Sequence, residues 1–179
     1  MKLDRGRAAL AVIDVQEAFR PAVLEFDRVI ANVAVLVQGA RVLGVPVLVT
    51  EQYPKGLGET VPEVAEHLDG IERLQKMSFS AVAANGFPAA LENERDQVLL
   101  CGIEAHVCVN QTAEDLLAAG REVHVVRDAV SSRTAENREL GVHKMEHSGA
   151  TLTSVETALF ELLREAGTPE FKEIQRLIR

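Results

Sequence analysis

Three side chains in this 179-residue sequence could together carry out nucleophilic chemistry: Asp14, Lys76 and Cys108. A thiol attacks a carbonyl carbon once its proton is removed, a carboxylate can take that proton, and a nearby cation favours the sulfur anion. Asp14 ends the apolar run ALAVID, Lys76 directly follows IERLQ, and Cys108 comes after GIEAHV where a helical pattern opens. Free amides and the macrodipole at a helix start stabilise a thiolate. Each residue also has a plainer reading: a cap for Asp14, a solvated surface cation for Lys76, a buried inert thiol for Cys108.

Position separates the two sets of readings. Short β-rich runs alternate with segments of helical period, the signature of parallel strands joined by crossover helices in a three-layer α/β/α sandwich. Strands are expected at 8–14, 46–50, 71–75, 97–102, 122–127 and 151–153. Helices are expected at 27–43, 107–119, 136–148 and 155–166, with a short amphipathic helix in PEFKEIQRLIR. Gly44, Gly120 and Gly149 supply the C-terminal stops of the first three, and Ser154 a cap-like hydroxyl for the fourth. Residues 51–66 hold Pro54, Gly56, Gly58 and Pro62 without a clear period and read as a long surface loop. In an open parallel sheet, ligands bind beyond the carboxyl ends of the strands where the strand order reverses. All three reactive residues fall at such ends, and an order 3-2-1-4-5-6 would set the first and fourth strands side by side.

Composition narrows the classes. With 179 residues the chain can bury one substantial core, so one domain is expected over 1–179. A net charge of −8 offers no basic footprint for a phosphate backbone, so nucleic acid is not an expected partner. No apolar stretch nears the ~18 residues of a membrane span. The opening MKLDRGRAALAVIDV runs from a charged lead into a strand-length apolar run with no cleavage site, so no signal peptide is expected. Two cysteines, Cys101 and Cys108, fit neither a disulfide framework nor a zinc motif, which points to a reducing cytoplasm.

The remaining reactive side chains read as structural. His106 is two residues from Cys108, where side chains diverge rather than meet. His143 and His147 are spaced i, i+4 but lack the glutamate of a zincin, which suits a solvated helix face. No GxGxxG or GxxxxGK[ST] cradle appears, so a nucleotide cofactor is not expected.

VIDVQEAF around Asp14, QKMSFSA around Lys76, and LLCGIEAHVCVNQTAEDLLAAGREVHVVRDAVSSR around Cys108 resemble the isochorismatase-like cysteine hydrolases, nearly end to end. The segment TEQYPKGLGET and the tail FKEIQRLIR are most similar to the isochorismatase domain-containing proteins. The resemblance implies a six-stranded, mostly parallel sheet with Rossmann-like winding, and a catalytic triad of Asp14, Lys76 and Cys108. It implies a cis peptide bond at Ile103-Glu104, an oxyanion hole from the backbone amides of Glu104 and Cys108, and a homo-oligomer, a dimer or larger. Gln16 and Phe19 match positions that line the pocket, and Tyr53 in the long loop could cover a substrate. Nicotinamidases carry an Asp-x-His metal motif where this chain reads Thr50-Glu51-Gln52-Tyr53, so no metal is expected and nicotinamide is disfavoured. Isochorismatases typically lack the cysteine present here.

The activity implied is hydrolysis of a small amide, carbamoyl or ester compound through a thioester on Cys108, with non-peptide C–N bonds the expected target. Two rivals stand beside it: a non-catalytic binding or scaffold member of the same fold, and a thiol redox sensor.

Overall fold

A computed structural model describes residues 2–91 and 95–179. The chain builds β1 (Ala8–Ile13), α1 (Phe26–Val42), β2 (Val47–Gln52), the short helices α2 (Pro54–Leu57) and α3 (Pro62–Ala65), then β3 (Arg73–Lys76), α4 (Phe87–Ala90) and β4 (Gln97–Ile103). It continues through α5 (Asn110–Ala118), β5 (Glu122–Ser131), α6 (Ala135–His147), β6 (Thr151–Thr153), α7 (Val155–Leu163) and α8 (Pro169–Leu177). The six strands form one sheet in the order β3-β2-β1-β4-β5-β6. Every pairing is parallel.

The sheet is parallel because its central strands are apolar on both faces. All residues of β1 and β4 are buried, as a sheet covered by helices on both sides requires. Alternation then sorts the side chains. Leu10, Val12, Leu99, Cys101 and Val126 pack with α1, α7 and Ile174 of α8. Ala9, Ala11, Ile13, Leu100 and Val125 pack on the other face with Cys108, Ala113, Leu116, Val142 and Met145. The two cysteines therefore belong to hydrophobic layers on opposite sides of the sheet.

Among the boundaries that differ from the sequence expectation, four bear on the site. Lys76 is the last residue of β3 rather than the first after it. Asp14 falls just beyond β1, with φ of 50°, a left-handed conformation that aspartate tolerates better than most residues. β5 continues to Ser131 because a register shift between Leu100 and Gly102 lets it stay paired with β4 past Arg127. The segment 51–66 is not a structureless loop: β2 takes Glu51 and Gln52, and prolines at helix N-termini start α2 and α3.

Candidate active site

The strand order reverses between β1 and β4, and the register sets Ile13 beside both Thr50 and Gly102. Asp14 thus emerges between the ends of β2 and β4. Its carboxylate is fully buried. Thr50 donates its hydroxyl to one oxygen at 2.7 Å, and the Lys76 ammonium donates to the other at 2.6 Å.

Lys76 comes from the edge strand, paired with Gln52 of β2. Two strand spacings, about 10 Å, separate it from the line of β1, so only a long side chain laid across the end of β2 can reach Asp14. The ammonium also meets the Gln52 amide oxygen at 2.8 Å and the carbonyls of Ser78 and Phe79 at 3.1 and 3.0 Å. Three protons serve four acceptors, which explains how a cation can be buried away from water.

Cys108 is carried by a wide helical turn, Ala105–Val109, that precedes α5. Val109 donates back to the Glu104 carbonyl, a five-residue return. Two glycines allow this turn to sit where it does. A side chain at Gly102, whose φ is 119°, would run into the Ile13 backbone. One at Gly141 of α6 would lie 2.6 Å from the carbonyl of Ala105 and the amide of His106. Close approach of bare backbone therefore sets the end of β4, which leads into the cysteine turn, against β1, and the turn itself against α6.

The electrostatics differ from the expectation of a preformed thiolate. Burial pushes the Cys108 thiol up to about 12; Asp14 adds to this by charge and hydrogen bond, and Lys76 opposes it. The Lys76 charge is shared with Asp14 at 2.6 Å, so it offsets only part of that rise. The arrangement suits a neutral thiol whose proton leaves as the sulfur attacks.

Glu104 joins Ile103 through a cis peptide bond, and its side chain is engaged by the Arg133 guanidinium at 2.9 Å. Gln16 is buried with its amide committed: it donates to the carbonyls of Gln52 and Gly58 at 2.9 and 2.7 Å and accepts from the Gln52 N–H at 2.7 Å. That ties β1, β2 and the following loop together. Phe19 is half-buried against the α1 layer. Tyr53 is 47% exposed, its ring lies against Gly56, and it lines a cavity of about 290 Å³ with Pro54, Lys55, Gln75, Lys76 and Met77. His106 bonds Ser132 at 3.0 Å, away from any pairing with the thiol.

Thr50, Gln52 and Thr112 were not singled out from sequence, yet they touch Asp14, Lys76 and the Cys108 carbonyl respectively. The signal for the first two was a polar run, Thr50-Glu51-Gln52, closing an apolar strand. At the positions of the nicotinamidase metal motif, Glu51 accepts from the Thr60 amide and hydroxyl at 2.7 Å, and Gln52 holds Lys76.

Residues 8–157 match the family model of the isochorismatase domain. The isochorismatase domain-containing protein 2 of Danio rerio is 43% identical over 179 residues, covering 99% of this chain and 89% of that protein. The structure of MAR1 ribonuclease from Caenorhabditis elegans is 42% identical with a TM-score of 0.95, covering 99% of this chain and 92% of that one. The structure of YcaC from Pseudomonas aeruginosa with hexane-2,5-diol and covalent acrylamide is 26% identical with a TM-score of 0.90, covering 98% and 91%. With sheet order, switch-point geometry and sequence all in agreement, the chain belongs to the isochorismatase family.

Proposed function

We propose that this protein is a cysteine hydrolase of small amide, carbamoyl or ester compounds, with Cys108 as nucleophile, Asp14 as general base and acid, and Lys76 as the cation that holds Asp14. The observation that carries the reading is a buried carboxylate and ammonium 2.6 Å apart, both acting on one thiol at the sheet's switch point.

Asp14 takes the Sγ proton as the sulfur–carbon bond forms, and the carbonyl π electrons move to oxygen. The backbone amides of Glu104 and Cys108 receive that oxyanion, each worth about 3 kcal/mol by comparison with other oxyanion holes. Collapse breaks the C–N or C–O bond, and Asp14 returns its proton to the leaving group. Water, deprotonated by Asp14, then adds to the thioester; the C–S bond breaks and the thiol regains its proton.

Acrylamide is an electrophile that thiols add to, and its covalent presence in the Pseudomonas YcaC structure supports a reactive nucleophile in this fold. Opposite layers for Cys101 and Cys108 weigh against an intramolecular redox pair. We read the chain as one domain and a homo-oligomer, working without a metal.

Intact mass of wild type and Cys108→Ala, after incubation with a panel of small amides, carbamoyl compounds and activated esters, tests the reading. An acyl adduct or product release that vanishes in the variant is expected. The Caenorhabditis relative bears a ribonuclease's name, so the panel includes RNA. Cleavage of RNA by both forms, with no adduct on either, would sink the cysteine-hydrolase assignment.

A further inference from the structure

The ammonium and the thiol reach the site on separate pieces of chain. Segment 77–86 follows β3, and its Ser78 and Phe79 carbonyls cradle Lys76. The turn Ala105–Val109 carries Cys108. Among the described residues, one hydrogen bond joins that segment to α5: the Ala81 N–H donates to the Thr112 hydroxyl at 2.9 Å. The same hydroxyl donates to the Cys108 carbonyl at 2.6 Å. A hydroxyl has a single proton. Here it goes to Cys108, which leaves a lone pair for Ala81, so the two bonds do not compete. Ala81 and Thr112 are fully buried.

We propose that Thr112 is a positioning residue that sets the spacing between the Lys76 ammonium and the Cys108 thiol, by clamping the lysine's cradle to the cysteine's turn. A threonine bonding the carbonyl four residues back is common in helices. A bond across 31 residues to Ala81 is not local and requires the segment to lie where it does. The inference rests on Cys108 being the nucleophile. The charged groups acting on that thiol are Asp14 beyond β1 and Lys76 on β3. From the start of the turn, Glu104 is engaged by Arg133, and α6 presents the backbone of Gly141 to the turn. Because Lys76 favours the thiolate, letting the cradle drift makes the thiol harder to ionise and slower to react.

The test is the rate of Cys108 alkylation by iodoacetamide, followed by intact mass, with Cys101 as an internal report on folding because it is buried in β4. Thr112→Val removes both bonds while keeping the shape, and the rate is expected to fall on the order of tenfold, the equivalent of one unit in thiol pKa. Thr112→Ser restores the wild-type rate. In an Asp14→Asn/Lys76→Met background, where no ammonium remains to be placed, Thr112→Val changes the rate less than about twofold, as expected when the coupling runs through the missing group. An unchanged rate in Thr112→Val, or the same fall in both backgrounds, overturns the inference and leaves Thr112 a fold residue only. A wild-type Cys108 no more reactive than Cys101 overturns the nucleophile itself, and this reading with it.

Discussion

At Cys108 two neighbours pull in opposite directions, the Asp14 carboxylate against ionisation and the Lys76 ammonium toward it. Asp14→Asn removes the first and frees the second, so the thiol's pKa falls. Alkylation of Cys108 at about pH 8 is then expected to rise, tenfold for each unit of the fall, while hydrolysis is lost with the general base. The two rates moving together would mean that Asp14 only supports the fold. Lys76→Met leaves the Asp14 carboxylate buried without its cation, and losing one partner of such a pair costs about 3–5 kcal/mol. Urea unfolding reads this loss, and adding Asp14→Asn is expected to recover part of it, since the unpaired charge is then gone.

The elements place these residues through glycines as much as through helices and strands. Gly141 lies inside α6, where alanine would ordinarily stabilise by about 1 kcal/mol. An added Cβ would lie 2.6 Å from Ala105 and His106 backbone, which reverses the sign. Overpacking of this kind costs about 1–3 kcal/mol, so Gly141→Ala is expected to lower stability in urea and to slow Cys108 alkylation. A stabilised variant with an unchanged rate would show that α6 does not hold the turn. The strands and the caps at Gly44, Gly120, Gly149 and Ser154 were legible from periodicity and punctuation. The helices α2 and α3 were not, because four residues are too few to show a period.

For the whole molecule, acid is the expected weakness. His124 on β5 is buried, which lowers its pKa in the fold. The unfolded chain therefore binds that proton first, and the stability His124 contributes is present above its unfolded pKa near 6.5 and lost as pH falls through the folded value. Glu17, Glu25, Asp96 and Glu122 are held low mainly by hydrogen bonds to Arg20, Arg28, Arg7 and Gln97 respectively. Their share is present above the carboxylate range and is lost at still lower pH. Thermal unfolding scans from about pH 7 to 4 are expected to show a first loss near the histidine range that His124→Gln flattens, and a second loss that the variant leaves in place. A variant curve parallel to wild type would remove His124 from the account.

The sequence by itself determined the sheet and, to within about two residues, the ends of its strands other than β5, which runs on to Ser131. Apolar runs buried on both faces leave a parallel, helix-covered sheet as their way out of water, and the reactive side chains come where those runs stop. The order of the strands was expected as well, through the motifs around Asp14, Lys76 and Cys108. What only the tertiary structure decided is how the charges are spent. That Lys76 gives its charge to Asp14, that the Gln16 amide is consumed by backbone, and that Thr112 joins two distant segments all depend on distances across elements 31 to 62 residues apart in the chain. Local pattern carries burial, because burial repeats every two or every three to four residues. Hydrogen-bond partners across the sheet's end have no period, so a polar run such as Thr50-Glu51-Gln52 marks where they come from but not whom they meet.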